Sequence, residues 1–116
     1  MLQNNLTGEI SASYANCSTL RIFVANQNLL SGNIPVGILG LPNIDSIDIS
    51  FNDIEGPITS DIKNAKSLVN LFAGHNRLSG ELPTEISEVT SLKSIQLNDN
   101  RLTGEIPYMI CNVKFS

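Results

Sequence analysis

The chain has 116 residues, enough for one domain, and with 41% apolar and 16% charged residues it is too apolar and too weakly charged to stay disordered. Seven Lys and Arg against eleven Asp and Glu leave a formal charge of −4, which repels phosphate backbones and anionic headgroups and removes nucleic acid and membrane surfaces from the expected partners. No apolar run approaches the ~20 residues of a membrane span, and the first residues lack the basic start and apolar middle of a signal peptide, so no direct membrane contact is expected.

One constant interval organises the chain: it separates Asn4, Asn28, Asn52, Asn76 and Asn100, and Gly8, Gly32, Gly56, Gly80 and Gly104 keep the same step. In chain order, the first unit opens on Asn4 and Gly8, carries Ser11 where later units have proline, and runs through Tyr14, Cys17 and Leu20. The second reads N-x-L-x-G-x-I-P from Asn28 to Pro35. In the third, Pro57 is displaced to follow Gly56 and Thr59 takes the usual proline place, so a less regular outer segment is expected in this unit and in that of Ser11. The fourth reads N-x-L-x-G-x-L-P from Asn76 to Pro83, and the fifth runs from Asn100 through Pro107 and breaks off at Ser116.

Seven apolar columns pass through these units, among them Phe23, Ile47, Leu71 and Ile95, and Ala25, Ile49, Ala73 and Leu97. No helix or strand period spans a whole unit. Each unit is therefore a coil that covers its apolar side only by stacking on its neighbours. Within it, L-x-x-L-x-L-x-x-N, as in Leu92, Ile95, Leu97 and Asn100, alternates in and out over its latter part, which predicts short strands stacked in parallel. The chain then turns with backbone groups facing a dry interior, where an inward amide with donors and an acceptor satisfies them. Asn28, Asn52, Asn76 and Asn100 are assigned that structural role.

The consensus L-x-x-L-x-L-x-x-N-x-L-x-G-x-I-P resembles the plant-specific class of extracellular leucine-rich repeats over nearly all of the chain. GNIPVGILGLPNIDSIDIS and GPITSDIKNAKSLVNL are similar to the ectodomains of plant receptor-like kinases of subfamily XI, the HAESA and HAIKU relatives. The expected fold is an α/β repeat: a leucine-rich-repeat solenoid with a short-stranded parallel sheet on the concave face and loops or 3-10 turns on the convex face. Residues 1–116 are expected to form a single solenoid fragment of about five repeats, uncapped at both ends, because neither end shows the paired-cysteine cap of the family. The resemblance implies recognition of a peptide or protein ligand at the outer side of the plasma membrane, partnership with a co-receptor kinase, and a kinase domain elsewhere. The chain itself has none of the kinase motifs, so it is not expected to be an enzyme. The R-x-R pair with which receptors of this subfamily often grip a peptide carboxylate does not occur; Arg21, Arg77 and Arg101 stand singly. The alternative implied by the same repeats is a kinase-free receptor-like protein or an inhibitor of polygalacturonases.

Inward strand positions build the core, so recognition is expected from the outward ones. The candidate ligand-binding residues are Val24, Asp48, Phe51, Phe72, His75, Gln96 and Asp99, with Phe51, Phe72, Ile22 and Val24 as apolar anchors and Asp48, Gln96, Asn98 and Asp99 as partners for a peptide backbone or basic side chains. At ~4.8 Å per strand, four strands give a floor of roughly 15 to 20 Å, room for about five extended residues. The bland alternative is a solvated face with no partner. His75, the only histidine, has no converging ligands in the repeat, so neither a metal nor any other cofactor is expected, and no catalytic residue is assigned. Cys17 is expected to be a small buried group, and four coils separate it from Cys111, too far for a disulfide between them. Asn5-Leu6-Thr7 and Asn16-Cys17-Ser18 are glycosylation sequons in a secreted chain.

Overall fold

A computed structural model describes residues 7–104 and the short strand Lys114–Phe115. Nine strands precede that last one: β1 (Thr7–Glu9), β2 (Ile22–Val24), β3 (Leu29–Asn33), β4 (Ser46–Asp48), β5 (Asp53–Gly56), β6 (Asn70–Phe72), β7 (Arg77–Glu81), β8 (Ser94–Gln96) and β9 (Arg101–Thr103), with Lys114–Phe115 as β10. The even-numbered strands form one parallel sheet, ordered β10-β8-β6-β4-β2. Its register follows the repeat: Phe23 lies opposite Ile47, Ile47 opposite Leu71, and Leu71 opposite Ile95. Equivalent residues of successive coils therefore touch, which places the predicted concave sheet where the alternating segments stand.

The odd-numbered strands form a second parallel sheet, ordered β1-β3-β5-β7-β9, which the sequence reading took for turns. Its register does not follow the repeat. Thr7 lies opposite Leu29 and not opposite Ser31, its equivalent in the next unit, and Ser31 in turn lies opposite Asp53 and not Glu55. What the glycine column shares is a left-handed backbone, with φ between 78° and 89° at all five positions. At Gly32, φ is +78° and an added Cβ would stand 2.6 Å from Glu9 Cγ on the neighbouring strand. Gly32→Ala is expected to cost ~1–2 kcal/mol in urea denaturation, mostly from the left-handed backbone, because the Glu9 side chain has room to swing away.

The convex segments are 3-10 helices at Ala12–Asn16, Ser60–Asn64 and Thr84–Glu88, while residues 36–40 form turns. Ser11 and Thr59 in place of proline leave the helices after them intact: Tyr14 closes on the Ser11 carbonyl at 3.2 Å and Ile62 on the Thr59 carbonyl at 3.3 Å, so the expected irregularity of those units is not seen.

The core is one continuous ladder between the sheets and the convex segments, with Ile44, Ile54, Ile62, Leu68, Leu71, Leu78, Ile86 and Ile95 fully buried. Leu39 is buried as well, although its column holds Ala15, Lys63 and Ser87 and gave no periodic signal. One expectation fails. Cys17 is exposed, although Ala65 and Val89 at the same place after later 3-10 helices are buried; among the described residues only the following coil covers this one. Tyr14 and Leu20 in the same coil are only partly buried, with Tyr14 set edge-on against Phe23 at 5.1 Å. The pairing of Cys17 with Cys111 lies outside the described residues, as does Asn5; Asn16 ends the first 3-10 helix and is exposed.

Candidate ligand-binding face

The even-numbered sheet turns its inward residues to the core, and the parallel register lines up its outward ones in rows across the coils. Ile22, Ser46, Asn70 and Ser94 form one row; Val24, Asp48, Phe72 and Gln96 form the next. Further along come Asn26, Ser50, Gly74 and Asn98, and then Gln27, Phe51, His75 and Asp99, each set at equivalent positions of successive units. All seven sequence-nominated residues thus stand on one face in two rows. Val24, Asp48 and Phe72 are half-buried, while Gln96, Phe51, His75 and Asp99 are exposed. Ile22, expected as a further apolar anchor, is also exposed at 61%.

What holds this face in place is the line of asparagines just behind it. Asn52 Nδ2 donates to the carbonyls of Ala25, Ile49 and Ser50 at 2.9, 3.0 and 3.2 Å, and its Oδ1 accepts the Leu30 amide at 3.1 Å. Asn76 repeats the pattern with Ile49, Ala73 and Gly74 and the Ile54 amide, and Asn100 with Ala73, Leu97 and Asn98 and the Leu78 amide. Asn28 donates to the Ala25 and Asn26 carbonyls. Asn52, Asn76 and Asn100 each reach into the coil before them, so the turn ending one strand is tied to its neighbour. Buried carbonyls left without donors cost about 1–3 kcal/mol each, which is why a polar side chain belongs in this interior.

Just before each ladder asparagine the backbone is left-handed. Gln27, Phe51, His75 and Asp99 have φ between 56° and 58°, a conformation uncommon for residues other than glycine. The sequence reading did not find this; its signal is the position itself, one before the ladder asparagine in each of these four coils. These positions lie three residues past the strand ends, so their four side chains form a rim along one edge of the face. Phe51 and His75 stack with ring centres 4.2 Å apart and planes at 14°. His75 Nδ1 stands 3.1 Å from Asp99 Oδ2, and Asn98 Nδ2 reaches Asp99 Oδ2 at 3.2 Å and His75 Nε2 at 3.3 Å. Asn98, expected to bond a peptide, instead joins both partners.

Asp48 is held as firmly. Its Oδ1 accepts the Ser50 amide at 3.1 Å and the Ser50 hydroxyl at 2.6 Å, and Oδ2 accepts the Asn26 amide at 3.4 Å. Ser50, expected to face outward freely, is only 8% exposed because its hydroxyl turns back onto this carboxylate. Among the described residues no helix is long and apolar enough to cross a membrane.

A family model described as Leucine Rich Repeat matches residues 91–113. Phytosulfokine receptor 1 of Arabidopsis thaliana is 32% identical over 53 residues, covering 46% of this chain and 5% of that protein. The Arabidopsis receptor kinase HAESA, solved in complex with the peptide hormone IDA and the co-receptor SERK1, superposes with a TM-score of 0.91 at 34% identity over 95% of this chain and 19% of its own. The ectodomain of GASSHO1/SCHENGEN3 from Arabidopsis thaliana, in complex with CASPARIAN STRIP INTEGRITY FACTOR 2, superposes at 0.88 and 35% over 93% of this chain and 13% of its own. The chain thus spans a fifth or less of each of these proteins. In register, in sheet order and in the asparagine line behind the face, the chain has the leucine-rich-repeat fold, and it is similar to plant receptor-kinase ectodomains.

Proposed function

We propose that the chain is a ligand-recognition segment of a plant leucine-rich-repeat receptor-like kinase ectodomain of the HAESA-like group, a single solenoid unit that takes an extended peptide or protein segment along its concave sheet. One observation carries this reading: the outward rows present Phe51, Phe72, Val24 and Ile22 to solvent where the core gains nothing from them, beside carboxylates and amides already fixed by hydrogen bonds. Preset groups lose little freedom on binding, which favours capture of a flexible peptide that must itself become ordered. HAESA, which superposes on this chain, was solved with a peptide hormone and a co-receptor. By analogy the parent's kinase domain, its place at the cell surface and its co-receptor belong to segments outside these 116 residues. Asn16, exposed within its sequon, is proposed as a glycan site well away from the concave rows.

The test is calorimetry on the full receptor with a peptide ligand found by screening. Asp48→Ala and Phe72→Ala are each expected to weaken binding tenfold or more. Unchanged affinity at both positions would remove the concave face from the proposal.

A further inference from the structure

We infer that the rim of the concave face is a preorganised seat for a cationic side chain of the bound peptide, with the Asp99 carboxylate as its counter-charge and the Phe51–His75 stack as its bed. The inference rests on the concave-face reading and adds the chemistry of the ligand to it. Its first support is the fixed geometry of Asp99. The carboxylate Oδ2 accepts from Asn98 and faces His75 Nδ1, while Asn98 donates to His75 Nε2. This pattern is complete with the imidazole proton on Nδ1, so the network orients the carboxylate without setting a lysine or arginine against it. Asp99 Oδ1 accepts no hydrogen bond among the described residues, and the side chain is 63% exposed.

The second support is the distribution of charge. Toward the strand ends the face carries Asp48 and Asp99, and no Lys or Arg stands in either of those rows. The cations of the face, Arg21 and Lys93, lie at the strand starts. Arg21 and Gln27 stand six residues apart with β2 between them, at most roughly 20 Å at ~3.3 Å per residue, against the ~8 Å screening length of physiological salt. The two edges therefore act separately, and a cation is favoured at the rim. The third support is shape: Phe51 is 49% exposed and His75 continues its surface toward Asp99. The aliphatic stem of an arginine or lysine lies along those rings while its head reaches the carboxylate.

The experiment uses the full 116-residue chain and three pools of octapeptides with randomised uncharged flanks and a fixed central Arg, Gln or Glu. Retention of the Arg pool is expected to exceed that of the Gln and Glu pools at least tenfold. That preference is expected to disappear in Asp99→Asn, which keeps a residue tolerant of the left-handed backbone. It is expected to persist in Asp53→Asn, which removes the same charge from the second sheet. Equal retention of the Arg and Gln pools, or a preference that survives Asp99→Asn, overturns the inference; the concave reading then stands if Phe72→Ala still lowers retention of every pool. Failure of all three pools to bind overturns both.

Discussion

Replacing Asn52 by Asp is expected to destabilise the chain more than truncating it to Ala, although Asp is the closer match in shape. Three carbonyls, those of Ala25, Ile49 and Ser50, converge on Asn52 Nδ2. An aspartate sets a carboxylate oxygen against all three, in a position only 8% exposed, with no cation at hand. Alanine does less harm because the ladder is redundant. The Ala25 carbonyl keeps Asn28, the Ile49 carbonyl keeps Asn76, and the Ser50 carbonyl keeps the Gln27 amide. What alanine orphans is the Leu30 amide, which loses Oδ1 as its acceptor. A buried donor without a partner costs about 1–3 kcal/mol, and with a small cavity Asn52→Ala is expected to lose about 2–4 kcal/mol. Asn52→Asp is expected to lose more at neutral pH and to recover part of the loss in acid, where a protonated carboxyl donates to one carbonyl. Urea denaturation at pH 7 and pH 4 checks both the order and the recovery.

The second large effect is expected from Leu71→Ala. Leu71 is fully buried and sits between Ile47 and Ile95 in the stacked strands, so one truncation opens two coil interfaces. Buried Leu→Ala changes cost about 2–5 kcal/mol, and a site enclosed on both sides has little room to collapse, so the upper half of that range is expected. Because solenoid stability is a sum over neighbouring coils, Phe23→Leu in the end strand β2 is expected to cost less than half as much. Thermal denaturation of the two variants measures the difference directly.

Much of this architecture was legible in the sequence for a physical reason. A coil that must stack repeats its inward residues at a fixed interval, so the columns of Phe23 and Ala25 and the asparagine line name the core and the sheet in register. The outward rows followed by elimination. The second sheet was not legible, because L-x-G-x-I-P reads as turn chemistry and strand pairing there runs out of step with the repeat, Thr7 meeting Leu29 and not Ser31. Column logic assigns burial by position: it missed Leu39, whose equivalents Ala15, Lys63 and Ser87 are not a uniform apolar set, and it overstated Cys17, which is exposed where Ala65 and Val89 are buried. The rim network was hidden too. Phe51, His75, Asn98 and Asp99 are joined across three coils, and no pattern within one coil shows a left-handed backbone or a ring stack between two of them.

The face on which the functional reading depends exists only if equivalent strand residues of successive coils lie side by side. Nuclear Overhauser spectroscopy on the full chain is the direct measurement, read together with exchange of the asparagine carboxamide protons. Proton contacts are predicted between Val24 and Asp48, between Asp48 and Phe72 and between Phe72 and Gln96, with the Asn52 and Asn76 carboxamides protected from solvent. Missing contacts along that row, with those carboxamides exchanging as fast as exposed ones, would contradict it.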